Sequence, residues 1–133
     1  METTIKKLEL LLQNDRFAKH NEIRLVSIGI GEAKAEMEIS EKHLNGVNII
    51  QGGALFTLAD FAFAAASNSH GRIAVAANAS ISFFKGVSSG RLTASAQEIN
   101  SGKTLSSYNV DICDDTGTKI AFFSATAFLK GDF

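Results

Sequence analysis

The sequence predicts an α+β fold in which a curved antiparallel sheet of five or six strands wraps around one long central helix. The run from Gly52 to Asn68 is apolar on nearly every face, which is typical of a helix buried in a core. Segments with β-strand character flank that run on both sides. A sheet curled around a single helix covers most of such a surface, and a second subunit would supply the cover still missing.

The length and composition indicate one domain, predicted to span 1–133 with a helical segment over 1–20. A net charge of −1 with scattered basic residues argues against a nucleic-acid partner. The N-terminus lacks the apolar stretch of a signal peptide, and polar residues interrupt 47–66 as a membrane span, so we expect a cytoplasmic protein with no membrane partner. The single cysteine, Cys113, is expected to fill space in a strand.

One helix and two strands are predicted before the central helix. Apolar residues at helical spacing predict a short amphipathic helix over 4–13, after which Asn14-Asp15 offers a stop or a new helix cap. Residues 22–30 are rich in β-branched side chains and are followed by a turn at Gly31-Glu32. The segment 33–39 alternates apolar and polar residues, which predicts a half-buried antiparallel strand.

Four further strands are predicted after the central helix: 72–85, 90–100, 104–113 and 118–129. The last is apolar on both faces, as expected for a strand with neighbours on both sides. Asp114-Asp115-Thr116-Gly117 has the turn chemistry of a hairpin between the final two strands. The predicted order is therefore a helix, two strands, a long helix, and three or four strands in a meander.

Asp60 is the one formally charged residue between Lys42 and Arg72. A buried carboxylate costs several kcal/mol unless donors or a cation meet it, and such groups concentrate at functional sites. Two interpretations remain open: a functional carboxylate, or a structural one that pairs with a lysine, an arginine or backbone donors. The residues on its face of the helix are mostly small and leave space for a ligand or a partner helix: Gly53, Phe56, Thr57, Ala64 and Ser67.

The start of the central helix carries a second candidate feature. The free N–H groups and the positive end of the helix dipole at Gly52-Gly53 favour an oxyanion, although the glycines could also merely permit a sharp entry turn. Just before them, Asn45, Asn48 and Gln51 are neutral amides able to orient a water or a thioester carbonyl, and the alternative for each is a structural role in the loop or as a cap.

The histidines do not suggest a metal site. His43 and His70 are expected to be exposed loop residues, and together with His20 they lack metal-ligand spacing. The phenylalanines suit either a core or an aromatic acyl pocket, and the core is the expected role: Phe56, Phe61, Phe63, Phe83 and Phe84.

The stretch from Asn45 through Gln51-Gly52-Gly53 to Asp60 resembles the signature of the hotdog-fold acyl-CoA thioesterases of the phenylacetate-pathway (PaaI-like) group. That pattern has an asparagine, then His-Gly-Gly six residues on, then an aspartate seven residues after the second glycine. The resemblance extends through 64–68, 79–85, 90–96 and Gly102-Lys103-Thr104, and covers nearly the whole chain beyond residue 20. Gln51 stands where the group usually has histidine, and glutamine can donate a hydrogen bond but cannot titrate near pH 7.

The resemblance implies a thioesterase that hydrolyses an aryl- or medium-chain acyl-CoA in a cleft between two subunits of a dimer or a dimer of dimers. Asp60 would act as nucleophile or general base, and the Gly52 N–H would stabilise the oxyanion. Asn45 and Gln51 would position the water or the carbonyl from the opposite subunit. Coenzyme A is then part of the substrate, and no separate cofactor is expected.

The resemblance also implies a set of substrate contacts: Gly53, Thr57, Lys85, Gly102, Lys103 and Thr104. Of these, Lys103 with its two neighbours would contact the phosphorylated part of coenzyme A, although a solvated turn lysine is an equal alternative, and Lys85 is a second candidate for the same role. Other functions remain open. They are a non-catalytic acyl-CoA-binding hotdog protein in which Gln51 reflects lost chemistry, a hotdog dehydratase or hydratase, and a purely structural oligomerisation module. The second usually needs a histidine beside the carboxylate, and the central helix and its entry contain none.

Overall fold

The computed structural model describes residues 2–132 of the chain. It contains three α-helices, a 3-10 turn at Glu41–His43 and six strands: α1 (Glu2–Gln13), α2 (Arg16–His20), β1 (Arg24–Gly29), β2 (Glu32–Glu38), α3 (Gly52–Ser67), β3 (Arg72–Phe83), β4 (Arg91–Ser101), β5 (Leu105–Cys113) and β6 (Lys119–Asp132). Each predicted helix and strand is present. The helix cap offered at Asn14-Asp15 is a new start, because the Asp15 side chain accepts a hydrogen bond from the Ala18 N–H at 3.0 Å and begins α2.

The six strands form one antiparallel sheet in the order β1-β2-β4-β5-β6-β3, and α3 packs across all six. The α+β prediction, with a sheet around a central helix, is confirmed. The meander comprises β4, β5 and β6, whereas β3 returns to the far side of β6. As predicted, β6 lies between two neighbours.

Alternation along the strands directs a layer of side chains toward α3. On β2 the residues Ala33, Ala35 and Met37 are buried, while the acidic and basic residues between them face outward. Aromatic rings fill the space beneath the helix, where Phe63 packs edge-on against Tyr108 with ring centroids 5.7 Å apart. This core fixes the position of α3, and therefore of every residue along it.

The sheet leaves one side of α3 uncovered. Nine of its sixteen residues are buried, yet Gly53, Thr57, Asp60 and Ala64 remain partly or fully exposed. These four residues are three or four positions apart and form a single line along the helix, which we name the open stripe. The sequence predicts cover on every face of this helix, and one chain does not supply it along the open stripe.

Strand β3 is a free edge of the sheet. It is twelve residues long, it pairs with β6 on one side only, and its Ile73, Val75 and Phe83 side chains are each at least 40% exposed. A long apolar edge with unpaired backbone groups favours pairing with another strand. Within residues 2–132, no helix has the length and apolar character needed to cross a membrane.

Candidate active site

The loop before α3 is held by its own polar groups. The Asn45 Oδ1 accepts hydrogen bonds from the N–H groups of Val47 and Ile49 at 3.0 and 3.2 Å, and the Asn45 N–H donates to the Ile49 carbonyl. Asn48 adopts a positive φ of 62°, a conformation that asparagine tolerates better than most residues. The oxygen of Asn45 is thus committed to the loop, which leaves its side-chain NH₂ group as the part able to meet a ligand.

Gln51 is the N-cap of α3. Its Oε1 accepts the Gly53 N–H at 2.6 Å, and its own backbone N–H donates to the His43 carbonyl at 2.8 Å. A Cβ at position 53 would lie 2.5 Å from that Oε1, so glycine is what permits this cap. The sequence leaves two roles open for Gln51, which are to orient a water or a carbonyl and to serve as a cap. The structure places its oxygen on the helix and leaves the side-chain NH₂ group free to donate.

The first N–H of α3 has no partner among the described residues. The N–H groups of Ala54 and Leu55 donate to the Gln51 carbonyl, the Gly53 N–H is capped, and the Gly52 N–H makes no hydrogen bond. A free donor at the positive end of a sixteen-residue helix favours a negatively charged oxygen.

An apolar groove of about 390 Å³ borders this donor on the side facing β3. We name it the Gly52 groove. Its walls include Ile49, Phe83 and Phe84, and Lys85 is its only charged lining residue. A Cβ at position 52 would lie 3.0 Å from the Phe83 ring, which shows how closely the ring approaches the backbone. Lys85 is therefore brought together with Gly52, as the predicted site requires.

Asp60 sits on the open stripe with no partner in residues 2–132. It makes no hydrogen bond or ion pair there, so the structural alternative of a lysine, arginine or backbone partner is not met within one chain. Partial burial raises the pKa of its carboxyl group above the ordinary value, and the negative charge of Asp15 adds to the effect. One turn before it, the Thr57 hydroxyl donates to the Gly53 carbonyl at 2.8 Å.

The spacing along α3 separates the two candidate catalytic groups. Asp60 follows Gly52 by eight residues, which corresponds to about 12 Å along a helix axis. A reacting carbonyl needs its oxygen and its attacking group each at about 3 Å. The Gly52 N–H and the Asp60 carboxylate of one chain therefore cannot act on the same carbonyl.

The Gly102-Lys103-Thr104 turn lies at the other end of the sheet from Gly52. It connects β4 to β5, and the Gly102 N–H donates to the Leu105 carbonyl at 2.8 Å. Leu105 pairs with Phe128 of β6, whereas Phe83, beside Gly52, pairs with Ala121. Those β6 residues are seven positions apart, or about 23 Å along a strand. One protomer thus does not bring Lys103 together with Gly52.

His43 corrects an expectation from the sequence, which placed it on an exposed loop. It is 2% exposed: its Nδ1 accepts the Ser40 N–H and its Nε2 donates to the Asn21 carbonyl, both at 3.0 Å. Because Nδ1 accepts, the ring is assigned as the neutral Nε2–H tautomer. The available signal was the Ser40-x-x-His43 spacing of a capping box. His43 therefore links two helices. Its ring bonds to Asn21 at the end of α2, and its backbone carbonyl accepts the Gln51 N–H at the start of α3.

His70 lies on the surface, as predicted, and His20 is exposed as well. His70 follows α3 in an exposed turn, and its Nε2 is 2.6 Å from the Glu98 carboxylate. Among residues 2–132, no cluster of three or more His, Cys, Asp or Glu side chains could hold a metal ion.

Comparison with known proteins gives a consistent picture. Residues 47–121 match the family model described as the thioesterase superfamily. A putative esterase of Archaeoglobus fulgidus is 36% identical over 121 residues, which are 90% of this chain and 79% of that protein. The acyl-coenzyme A thioesterase PaaI of Escherichia coli is 38% identical over 114 residues, which are 85% of this chain and 81% of that protein.

The fold has a close counterpart among solved structures. The E. coli PaaI protein of the phenylacetic acid degradation operon superposes with a TM-score of 0.90 at 34% identity, covering 93% of this chain and 91% of the other. The overall fold, a hotdog fold, is thus shared with that protein.

Proposed function

The chain belongs to the thioesterase superfamily, as a PaaI-like hotdog thioester hydrolase, and from that premise we propose that it hydrolyses acyl-CoA at a site shared by two subunits. The observation that supports the proposal is the state of Asp60, a half-buried carboxylate with a raised pKa and no partner among residues 2–132. A carboxylate in this state is a stronger base than an ordinary one, and it is available to a substrate.

In the proposed reaction, the Asp60 carboxylate of one subunit attacks the thioester carbonyl carbon or takes a proton from a water that attacks it. The carbonyl oxygen becomes an oxyanion, which the free Gly52 N–H of the other subunit stabilises by about 3 kcal/mol. The carbon–sulfur bond then breaks, and the coenzyme A sulfur leaves and takes up a proton. On the general-base route the attacking water has already supplied the new oxygen, so the carboxylic acid is released directly. On the nucleophilic route the acyl group remains joined to Asp60 as an anhydride, which a water molecule then hydrolyses to the carboxylic acid and the free Asp60 carboxylate. Two subunits are needed because about 12 Å separates these groups within one helix.

The neutral amides before α3 would position the reactants. The side-chain NH₂ groups of Asn45 and Gln51 are the parts of these residues not used by the loop and the helix cap, so they can donate to the carbonyl or the water. Gly53 and Thr57 line the open stripe between the helix start and Asp60, and would contact the substrate there.

Coenzyme A carries phosphates, and two lysines are proposed to meet them. Lys85 is supported by its place in the Gly52 groove. Lys103, with Gly102 and Thr104, lies about 23 Å away at the other end of the sheet, so it could reach the same substrate only from a partner subunit. Charged contacts of this kind to phosphate oxygens are typical of lysine.

The free edge of β3 supports a way to build the shared site. If two β3 strands pair antiparallel about a two-fold axis, the sheets join and the two α3 helices run in opposite directions. The start of one α3 is then brought toward the later turns of the other, where Asp60 lies. The same pairing would satisfy the exposed backbone groups of β3.

The activity can be tested by following thiol release from a panel of acyl-CoAs with the wild type and with Asp60→Asn. Asparagine keeps the size of the side chain but cannot act as a base or nucleophile, so we expect kcat/KM to fall by about 10²–10⁴-fold. Glu38→Gln, which removes an exposed carboxylate of β2, is the matched control and should leave the rate unchanged. Equal rates for Asp60→Asn and the wild type would remove Asp60 from the mechanism, and no hydrolysis of any acyl-CoA would refute the activity.

A further inference from the structure

A second cavity lies on the other side of α3, beneath the N-terminal helices. Parts of α1, α2 and β1 enclose it with Phe61 of α3, and its volume is about 430 Å³. We name it the Phe61 cavity. A concave site of this size falls in the range that proteins use for small-molecule groups.

The floor of the Phe61 cavity is apolar. Ala18, Ile23 and Phe61 are 2, 7 and 5% exposed, and the half-buried side chains of Leu12 and Leu25 form its walls. Moving an apolar group from water into such surroundings is favourable. A hydrocarbon group is therefore favoured against these five residues, and the other five lining residues are polar or charged.

The cavity adjoins the candidate catalytic carboxylate. Phe61 directly follows Asp60 on α3, and the rim residue Asp15, which caps α2, is near enough for its charge to act on the Asp60 carboxyl. A thioester carbonyl placed at Asp60 would thus have this cavity as an adjacent apolar space on the same subunit.

The charges of the two concavities differ in a way that matches the two halves of an acyl-CoA. The rim of the Phe61 cavity includes two acidic and two basic side chains, so its formal charges cancel: Glu9, Asp15, Lys19 and Arg24. The Gly52 groove has Lys85 as its only charged residue. A phosphate-bearing coenzyme A arm is favoured beside the lysine, whereas the balanced charges of the Phe61 cavity suit an uncharged acyl group.

We propose that the Phe61 cavity holds the acyl group of the substrate, that this group is apolar, and that Leu12 and Leu25 determine which acyl groups fit. This inference rests on the proposed acyl-CoA hydrolysis and specifies its substrate class. The coenzyme A arm and the acyl chain then extend in different directions from the reacting carbonyl, one along the Gly52 groove of one subunit and the other into the Phe61 cavity of its partner.

The test compares octanoyl-CoA with acetyl-CoA in variants that fill the cavity. Leu12→Phe and Leu25→Phe each add bulk to a wall from a different element, so a folding defect in one leaves the other informative. We expect each to lower the ratio of kcat/KM for octanoyl-CoA over acetyl-CoA by about tenfold or more, the range that one or two methylenes command in an apolar pocket. Leu11→Phe, on the 55% exposed neighbour of Leu12, is the matched control and should leave the ratio unchanged.

The outcomes separate this inference from the function on which it rests. If the wild type hydrolyses octanoyl-CoA and both folded variants keep the wild-type ratio, the cavity assignment is overturned while the thioesterase activity stands. If no acyl-CoA is hydrolysed, the proposed function fails first. A crystal structure with a non-hydrolysable octanoyl thioether of coenzyme A gives a second readout, and a tail located away from Leu12, Leu25 and Phe61 would also overturn the assignment.

Discussion

The two ends of α3 differ in whether their polar groups are hydrogen-bonded. At the C-terminal end, the Asn68 side chain donates to the Ala64 carbonyl and accepts the Ala74 N–H, at 2.8 and 2.9 Å. The Ser69 hydroxyl donates to Ala66 and accepts the Gly31 N–H, both at 2.7 Å. At the N-terminal end, the Gly52 N–H has no partner in the described chain, and further along the open stripe neither has the Asp60 carboxylate.

A further hydrogen bond lies beneath the paired, C-terminal end of the helix. Beneath the C-terminal end, the Tyr108 hydroxyl donates to Glu98 at 3.1 Å, and burial together with the Glu98 charge raises the pKa of this phenol. Buried polar groups are nearly always paired in native proteins, and leaving one unpaired costs stability. The C-terminal end of α3 is therefore anchored to the sheet, while the N-terminal part of the helix retains a donor and an acceptor that a substrate can satisfy.

The role of the unpaired Gly52 N–H can be tested by removing it with Gly52→Pro, and this substitution should have the largest effect. Proline is favoured at the first position of a helix, and Gln51 already has the extended ψ of 136° that a residue before proline prefers, so the fold should be retained. Loss of the N–H should lower kcat by about 10²–10³-fold. Gly52→Ala places the same Cβ against Phe83 but keeps the N–H, and the difference between the two variants measures the donor.

The same variant tests whether the site is shared. Chains carrying Gly52→Pro and chains carrying Asp60→Asn are unfolded together and refolded as a mixture, then assayed for thiol release. In a mixed dimer, one of the two sites combines an intact Asp60 with an intact Gly52, so about a quarter of the wild-type activity should return. If both groups acted within one chain, mixing two inactive variants would restore nothing.

At the anchored end, Ser69→Ala should affect stability rather than chemistry. The substitution leaves the buried Gly31 N–H without its acceptor, which should lower the free energy of unfolding by about 1–3 kcal/mol in urea denaturation. Ser67→Ala is the matched control, because that hydroxyl is equally buried but makes one long bond of 3.4 Å to Ala64. Similar losses for the two variants would contradict the anchoring role of Ser69, as would a fall in kcat of the folded Ser69→Ala protein.

The smallest expected effect is on pH dependence. Because the pKa of Asp60 is raised, the acid limb of kcat/KM should lie at higher pH than the ordinary aspartate value of about 3.9. Asp15→Asn keeps the cap of α2 but removes the neighbouring charge, so it should move that limb to lower pH. An acid limb that does not move in Asp15→Asn would argue that Asp15 has no influence on Asp60.

The same shift has a stability consequence with a defined sign. The folded state binds the Asp60 proton more tightly than the unfolded chain does, so the ionised side chain destabilises the fold. The free energy of unfolding of the wild type should therefore fall relative to Asp60→Asn as the pH rises from about 3.9 through the folded-state pKa, and the difference should then stay constant. Urea titrations at several pH values measure it, and a wild type that gains stability over this interval would contradict the raised pKa.

Sequence predicts those parts of the fold in which the buried face follows a regular pattern or the stabilising contacts lie close together along the chain. Alternation over 33–39 identifies β2 because its inner residues all meet the same helix. The hairpin turn after β5 is equally local, since the Asp114 carboxylate accepts the N–H groups of Thr116 and Thr118 within four residues. The central helix is recognisable for the same reason, because its apolar run is continuous.

What sequence misses depends on partners far along the chain. The burial of His43 is not evident from its neighbours in the sequence, because the Asn21 carbonyl that accepts its Nε2–H is 22 residues away. The edge position of β3 follows from pairing with β6, which no alternation pattern encodes. At the candidate site, the spacing of the motif indicates Asn45, Gln51 and Asp60, but it leaves open whether Gln51 caps the helix or positions a reactant, because that depends on where its Oε1 points.

The open edge of β3 has a consequence for how the folded chain behaves before it finds a partner. With no proline and several exposed apolar side chains, this edge can template further strands from any chain that collides with it. A subunit that folds but does not assemble is thus an aggregation hazard. Association through β3 would protect the protein as well as complete it, so substitutions that block this pairing should yield insoluble chains rather than stable, inactive monomers.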